Sequence, residues 1–126
     1  MVKKLQVYKC SVCGSMVEVL NEGVGTLVCC GQPMNHLEEN NVDAALEKHV
    51  PVFVEKDGEV TVQVGAVEHP MLEEHFIQWV EVITTEKEVL RQELKPNNKP
   101  IAKFRINGKI DRVREYCNLH GLWSNK

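Results

Sequence analysis

The sequence predicts a mostly β protein: a small N-terminal cysteine-rich domain followed by an antiparallel β-sandwich of immunoglobulin-like build. Three observations carry this. Four of the five cysteines fall in two pairs, Cys10/Cys13 and Cys29/Cys30, near the N-terminus. About seven short strand patterns, separated by turn residues, fill most of the rest of the chain. A Cys-x-x-His loop, Cys117 to His120, follows the last long strand pattern.

The first domain is read from its cysteines. Leu5 to Lys9 forms a strand leading into Cys10-Ser11-Val12-Cys13-Gly14, and Met16 to Leu20 forms a second. After the turn Asn21-Glu22-Gly23-Val24-Gly25, Thr26-Leu27-Val28 leads into Cys29-Cys30-Gly31. Each pair therefore sits at the end of a small hairpin. A module of about 36 residues buries too little apolar surface to fold unaided, and a bound metal supplies the missing free energy. The adjacent Cys29-Cys30 pair must send two successive side chains to one ion, which strains the local backbone. Spacing alone does not choose between zinc and iron. The domain boundary is placed near His36, giving domains 1–36 and 37–126, with His36 as a solvated surface residue. Leu37 to Leu46 is polar and acidic and reads as a linker with one helical turn.

From Pro51 the pattern is β. Val52-Phe53-Val54-Glu55, the turn Lys56-Asp57-Gly58, and Val60 to Val64 make a hairpin. His75 to Thr84 is a longer strand, with Ile77 and Trp79 expected on one face and Phe76, Val80 and Val82 on the other. Glu86 to Leu94 is a candidate partner for it. Ala102, Phe104 and Ile106 alternate with Lys103 and Arg105, Asn107-Gly108 is a turn, and Val113 to Tyr116 runs into Cys117.

Composition limits the functions open to the chain. A net charge of −3 and a pI near 5.9 argue against general nucleic-acid affinity, which needs a basic face. No run approaches the roughly 18 apolar residues of a membrane span. The N-terminus turns polar at once and lacks the apolar core of a secretion signal, so a cytoplasmic location is expected. Five cysteines in a reducing compartment favour metal or redox chemistry over disulfides.

The histidines extend the metal argument. Cys117 and His120 place a thiolate and an imidazole on one short loop, beside Gly121, which allows a tight turn. That borderline-soft pair suits iron, copper or zinc and excludes magnesium or calcium. His49 stands before Val50-Pro51, His69 before Pro70, and His75 at the start of a strand. Taken singly, each histidine is better explained as a surface or hydrogen-bonded residue. Four of them together with a Cys-x-x-His loop point to one shared site at a rim of the sandwich. Zinc ordinarily stops at four ligands. Electron-transfer copper sites use two histidines, one cysteine and commonly a methionine, whereas Gly121-Leu122-Trp123 offers no methionine and two histidines are spare. Five ligands in a square pyramid leave one open position on iron.

The stretches Tyr8-Lys9-Cys10-x-x-Cys13-Gly14, Val28-Cys29-Cys30, Glu47-Lys48-His49-Val50-Pro51, Val64-Gly65-Ala66-Val67-Glu68-His69-Pro70-Met71, Ile77-Gln78-Trp79 and Glu115-Tyr116-Cys117-Asn118-Leu119-His120-Gly121 jointly resemble the desulfoferrodoxins, two-iron superoxide reductases. The resemblance covers essentially the whole chain. It implies a desulforedoxin- or rubredoxin-like iron centre on Cys10, Cys13, Cys29 and Cys30. It also implies a catalytic iron with His49, His69, His75 and His120 in the plane and Cys117 on the axis. The first three histidines should then bind through Nε and His120 through Nδ. The implied activity is one-electron reduction of superoxide to hydrogen peroxide, with electrons from rubredoxin or a similar small donor, in a homodimer. Lys48 is assigned to attracting superoxide and positioning a proton-donating water, and Glu47 to capping the ferric ion after turnover. Glu73-Glu74 precedes His75 where a basic residue is common, and Leu122 follows Gly121 where histidine is common, so the local field is more acidic. The competing readings are a pure electron carrier and a zinc-ribbon adaptor, which anion binding to the ferrous protein and the colour of the purified protein would distinguish.

Overall fold

The computed structural model describes residues 1–42, 49–65 and 69–126. The chain divides into two compact units, Met1–Glu38 and Glu39–Lys126. Every regular element among the described residues is a strand, and none contains a helix long and apolar enough to cross a membrane.

In the first unit, β1 (Val7–Lys9) is the middle of a three-stranded antiparallel sheet, flanked by β2 (Met16–Glu18) and β5 (Asn35–Leu37). A separate two-stranded ribbon joins β3 (Val28–Cys29) to β4 (Gln32–Pro33). The buried apolar residues are few: Val2, Leu5, Val7, Val19 and Cys10. Val12, Leu20, Val24 and Val28 face solvent instead. So small a core cannot offset the chain entropy of folding by itself, which agrees with a module completed by its metal. His36 lies at the surface, with its ring 5.2 Å from that of Tyr8 across the β1–β5 pairing.

The second unit is a sandwich of two antiparallel sheets. One has the order β10 (Ile101–Arg105), β7 (Glu59–Val64), β6 (Pro51–Lys56). The other has the order β12 (Gly121–Ser124), β11 (Ile110–Cys117), β8 (Ile77–Thr84), β9 (Val89–Glu93). The β6–β7 hairpin turns at Asp57-Gly58, both at positive φ, as a two-residue hairpin turn requires. Val60, Val62 and Val64, one face of β7, pack with Ala102, Phe104 and Ile106 against Ile77, Val80, Val82, Val113 and Cys117 from the other sheet.

One expectation fails in an informative way. Simple alternation along β8 put Ile77 with Trp79 and opposite Val80 and Val82. Instead Ile77 joins Val80 and Val82 in the core, while Trp79 stacks on Tyr116 with ring centroids 5.9 Å apart. The cause is a register shift: Tyr116 faces Trp79, but Cys117 faces Ile77, so Gln78 is an extra residue in β8. Such a bulge reverses the inward face of the strand. Of the stretch 37–46 expected to hold one helical turn, residues 43–46 lie outside those described. At its start, Asn40 instead bridges to Trp123 and continues the sheet past β12.

A buried ion pair lies within the β8–β9–β11 sheet. Arg114 Nε donates to Glu81 Oε1 at 2.6 Å, and both side chains are 1% exposed. Arg114 also reaches Glu39 at 3.1 Å, and Arg91 reaches Glu81 at 3.3 Å. Truncating one partner of a buried pair strands the other charge, whereas an exposed pair contributes little. Arg114→Ala should therefore destabilise the sandwich by about 3–5 kcal/mol, and Lys126→Ala, which removes the exposed Asp111 bridge, by less than about 1 kcal/mol. Urea unfolding followed through the tryptophans, both of which lie in the sandwich, measures the two. Equal effects would show that burial does not govern the Arg114 pair.

Candidate metal centres

The four cysteines of the first unit converge. Their sulfur atoms all lie within 4.8 Å of one another. Cys13 Sγ is 3.6 Å from Cys29 Sγ, and Cys29 Sγ is 4.0 Å from Cys30 Sγ. A tetrahedron with metal–sulfur bonds of about 2.3 Å has edges of about 3.8 Å, so the donor set fits one tetrahedral ion. Two local devices produce it. At the first pair, the Cys13 N–H donates to Cys10 Sγ at 3.5 Å and the Gly14 N–H to the Cys10 carbonyl at 3.0 Å. At the second, Cys30 and Gly31 form the two-residue turn between β3 and β4, with φ of 53° and 75°. The expected strain at Cys29-Cys30 therefore resides in one left-handed cysteine, which turns its sulfur back toward that of its neighbour.

Crowding also shows in the thiol acidities. The Ser15 hydroxyl, hydrogen bonded at 3.2 Å, leads the causes that draw Cys13 down to about 6. Contact with the Cys13 sulfur leads those that push Cys29 up to about 12. Four thiolates this close need a cation between them.

The second cluster is assembled from four separate segments of the sandwich. His49 lies two residues before β6, His69 in the β7–β8 connection, and His75 two residues before β8. Cys117 is the last residue of β11, and His120 lies in the turn to β12. Donor atoms of His49, His69, His75 and Cys117 all lie within 4.8 Å of one another. His120 Nδ1 is 3.1 Å from His49 Nε2 and 3.9 Å from Cys117 Sγ. Two metal–nitrogen bonds of about 2.1 Å at a right angle would put their nitrogens about 3.0 Å apart.

One imidazole hydrogen bond could explain that single distance, but not the arrangement of the rings. Going round the cluster, His49–His69, His69–His75, His75–His120 and His120–His49 centroids are 4.6, 4.8, 5.0 and 4.8 Å apart. The His49–His75 distance is 6.4 Å, close to the diagonal of such a square. Adjacent rings are steeply inclined, at 69–82°. Four imidazoles thus form a square, and Cys117 Sγ adds a fifth, softer donor. The set fits a square-pyramidal ion with one position left open.

Neighbouring groups fix these ligands. His69 Nδ1 lies 2.7 Å from the Pro70 carbonyl, and an N–H donated there leaves Nε2 as the ligand atom. His120 turns Nδ1 inward, as expected for it, and His49 turns Nε2 toward it. Trp123 stacks on His49 (4.8 Å, 17°) and donates its indole N–H to the His120 carbonyl at 3.1 Å. Cys117 is fully buried in the sandwich core, and His49 and His69 are 2% and 3% exposed. His120 is exposed and His75 half-buried, so the centre has a buried floor and an accessible rim. Glu47 and Lys48 lie outside the described residues.

Family models for desulfoferrodoxin match residues 41–126, and for the desulfoferrodoxin N-terminal domain residues 2–37. The chain belongs to the desulfoferrodoxin family. A desulfoferrodoxin from Syntrophotalea carbinolica is 57% identical over 126 residues, covering 100% of this chain and 99% of its own. The superoxide reductase of Treponema pallidum superposes with a TM-score of 0.83 at 28% identity, covering 99% of this chain and 100% of that one. A superoxide reductase from Giardia intestinalis described as 1Fe-SOR matches with a TM-score of 0.54 at 35% identity, covering 63% of this chain and 95% of that one. Like other desulfoferrodoxins, the protein has two mononuclear iron centres, one of four cysteines and one of four histidines and a cysteine.

Three supporting residues escaped the sequence reading: Ser15, Asn118 and Trp123. Asn118 had a usable signal, because asparagine in a tight loop favours side-chain bonds to backbone. The other two had none.

Gly121 pairs with Cys117 across the turn at φ 91°, a conformation that other residues rarely adopt. A Cβ there would meet only Asn40 Nδ2 at 3.8 Å, so the penalty lies in the backbone and not in a clash. Gly121→Ala should cost about 1–3 kcal/mol and speed loss of metal from the histidine centre while the four-cysteine centre keeps its spectrum. Urea unfolding and chelator competition check this. An unchanged release rate would detach the turn from ligand placement.

Proposed function

We propose that the protein is a superoxide reductase that converts superoxide to hydrogen peroxide at the four-histidine, one-cysteine centre. The square of imidazoles closed beneath by Cys117 carries this reading, because it leaves one position for a small ligand at an accessible rim. Ferrous iron held by these residues would supply the electron and a place for a small ligand to bind.

The protein's own residues supply the rest. Superoxide takes up one electron and two protons to become hydrogen peroxide, so the site must attract an anion and admit protons. His49, His69, His75, His120 and the buried Cys117 would hold the ion, and the Cys117 thiolate would donate electron density to it. We assign Lys48, next to His49 in sequence, to drawing in superoxide and ordering the water that delivers a proton. We assign Glu47 to occupying the open position after turnover. Glu73 and Glu74, both exposed beside His75, give that side of the rim a negative field.

We place the four-cysteine centre outside the chemical step, with the chain dividing in function near residues 36–38. We also assign a cytoplasmic location, in keeping with five cysteines that form no disulfide, and a small rubredoxin-like electron donor. A homodimer is supported by β6, which ends its sheet and exposes Val52, Phe53 and Val54 at 47%, 36% and 71%. An apolar edge strand of this kind invites pairing with a second copy. Phe53→Glu should move the protein from dimer to monomer in sedimentation, and a monomeric wild type would overturn the assignment.

Pulse radiolysis of the iron-loaded protein tests the activity: superoxide should be consumed with hydrogen peroxide formed and without dioxygen release. Dioxygen formation in step with peroxide would indicate dismutation instead. Cys13→Ser should retain the reaction, and Cys117→Ser should lose it more completely than any single histidine change. The two residues beside His49 separate by their charge. Lys48→Ile should slow the bimolecular reaction, by an amount that shrinks as salt screens the lysine in the wild type. Glu47→Ala should leave the encounter rate unchanged or raise it, while altering the ferric spectrum and its response to added anions. A Lys48→Ile protein as fast as wild type at low salt would remove the steering role.

A further inference from the structure

We propose that Asn118 is a positioning residue that sets the ligand His75 against the ligand Cys117. This rests on the reading that both hold one metal.

The argument begins with the bulge in β8. Regular pairing between β8 and β11 breaks at Gln78, and Ile77, opposite Cys117, is the last residue of the ladder. His75 lies two residues further out, where the β8–β11 ladder no longer ties it to β11 and its backbone bridges to Leu72 of its own turn. Asn118 takes over that task. Its backbone N–H donates to the Phe76 carbonyl at 3.2 Å. Its Oδ1 accepts the Phe76 N–H at 2.8 Å, and its Nδ2 donates to the Glu74 carbonyl at 3.1 Å.

The side-chain amide therefore acts as an extra peptide group, satisfying backbone on both sides of His75. The polarity of its contacts also fixes its orientation, because only Oδ1 can accept and only Nδ2 can donate. His75 itself is closed into a short turn, exchanging hydrogen bonds with Leu72 at 2.9 and 3.1 Å. Through these three backbone-directed hydrogen bonds Asn118 fastens that turn to the Cys117–His120 loop. Because Asn118 directly follows Cys117, one residue ties the backbone of both ligands together.

Two near-isosteric variants separate this from general loop support. Asn118→Asp keeps the acceptor facing Phe76 N–H but sets a second oxygen against the Glu74 carbonyl. Asn118→Leu removes both side-chain bonds. Second-sphere partners of metal ligands typically change affinity by about 10–100-fold. Chelator-driven release of ferrous iron from the histidine centre should therefore be at least about tenfold faster in Asn118→Leu, with Asn118→Asp between it and wild type. The thiolate-to-ferric charge-transfer band of that centre should shift in the same order. The four-cysteine centre in the same chain should keep its spectrum, and wild-type protein lacking the thiolate band would count against the metal reading itself. Unchanged release and an unchanged band in the folded variants would overturn the proposal. Faster release with an unchanged band would also overturn it, because that is what a merely loosened loop gives. If Asn118→Leu does not fold, the same two readouts on Asn118→Asp decide.

Discussion

Five donor atoms must meet within bonding distance of one point, although they come from four stretches that together span more than half the chain. The constraint is met at the end of β11. Cys117 is part of the hydrophobic core, held among Ile77, Val80 and Val113, so its sulfur is placed by the packing of two sheets. A three-residue turn then brings His120 over it, because Gly121 accepts a φ that closes the hairpin. The histidines from the other segments are gathered around this fixed pair. A site anchored by its softest and most buried ligand keeps the electron-rich sulfur dry and leaves the opposite side to solvent.

The two centres illustrate opposite relations between metal and fold. The first unit buries few apolar side chains and exposes several valines, so its cysteines and their ion are a large share of what holds it together. Its geometry is made locally, by a knuckle at Cys10–Gly14 and a tight turn at Cys30-Gly31. The sandwich has a continuous core of its own. There the ion is a guest at one rim, and the fold can leave a coordination position open without losing its own stability. That difference matches a division between a coordinatively closed centre and a reactive one.

Polar interactions in the sandwich secure the sheet edge that carries the site. Asn40 hydrogen bonds along β12, accepting from the Ser124 N–H and donating to the Leu122 carbonyl through both backbone and side chain. The adjacent Glu39 accepts from Arg112 and Arg114, and Arg114 is held in turn by the buried Glu81. This strap covers an edge that would otherwise be open, and β12 carries Trp123, which stacks on His49. Charge buried at this depth is an expensive way to gain stability. Its use here is directional, since it fixes where Glu39 and Asn40 meet the sheet.

The amino-acid sequence alone determined the donor types, the cysteine pairs, the Cys-x-x-His loop with its tight turn at Gly121, and the hairpin around Asp57-Gly58. These features are encoded within a few residues, where covalent spacing and side-chain alternation leave little choice. The whole-chain likeness to desulfoferrodoxins then assigned the ligands. Alternation misplaced Ile77, because an inserted residue such as Gln78 leaves no mark until a strand has a partner to be out of step with. Nor could the order of histidines around the square be read along the chain, since it depends on which strand ends the two sheets bring to one rim. The left-handed Cys30, the Trp123 stack and the Asn118 clasp belong to the same class. Only the tertiary structure decided them, because each is a contact or a conformation imposed by neighbours distant in sequence or by closure of a turn.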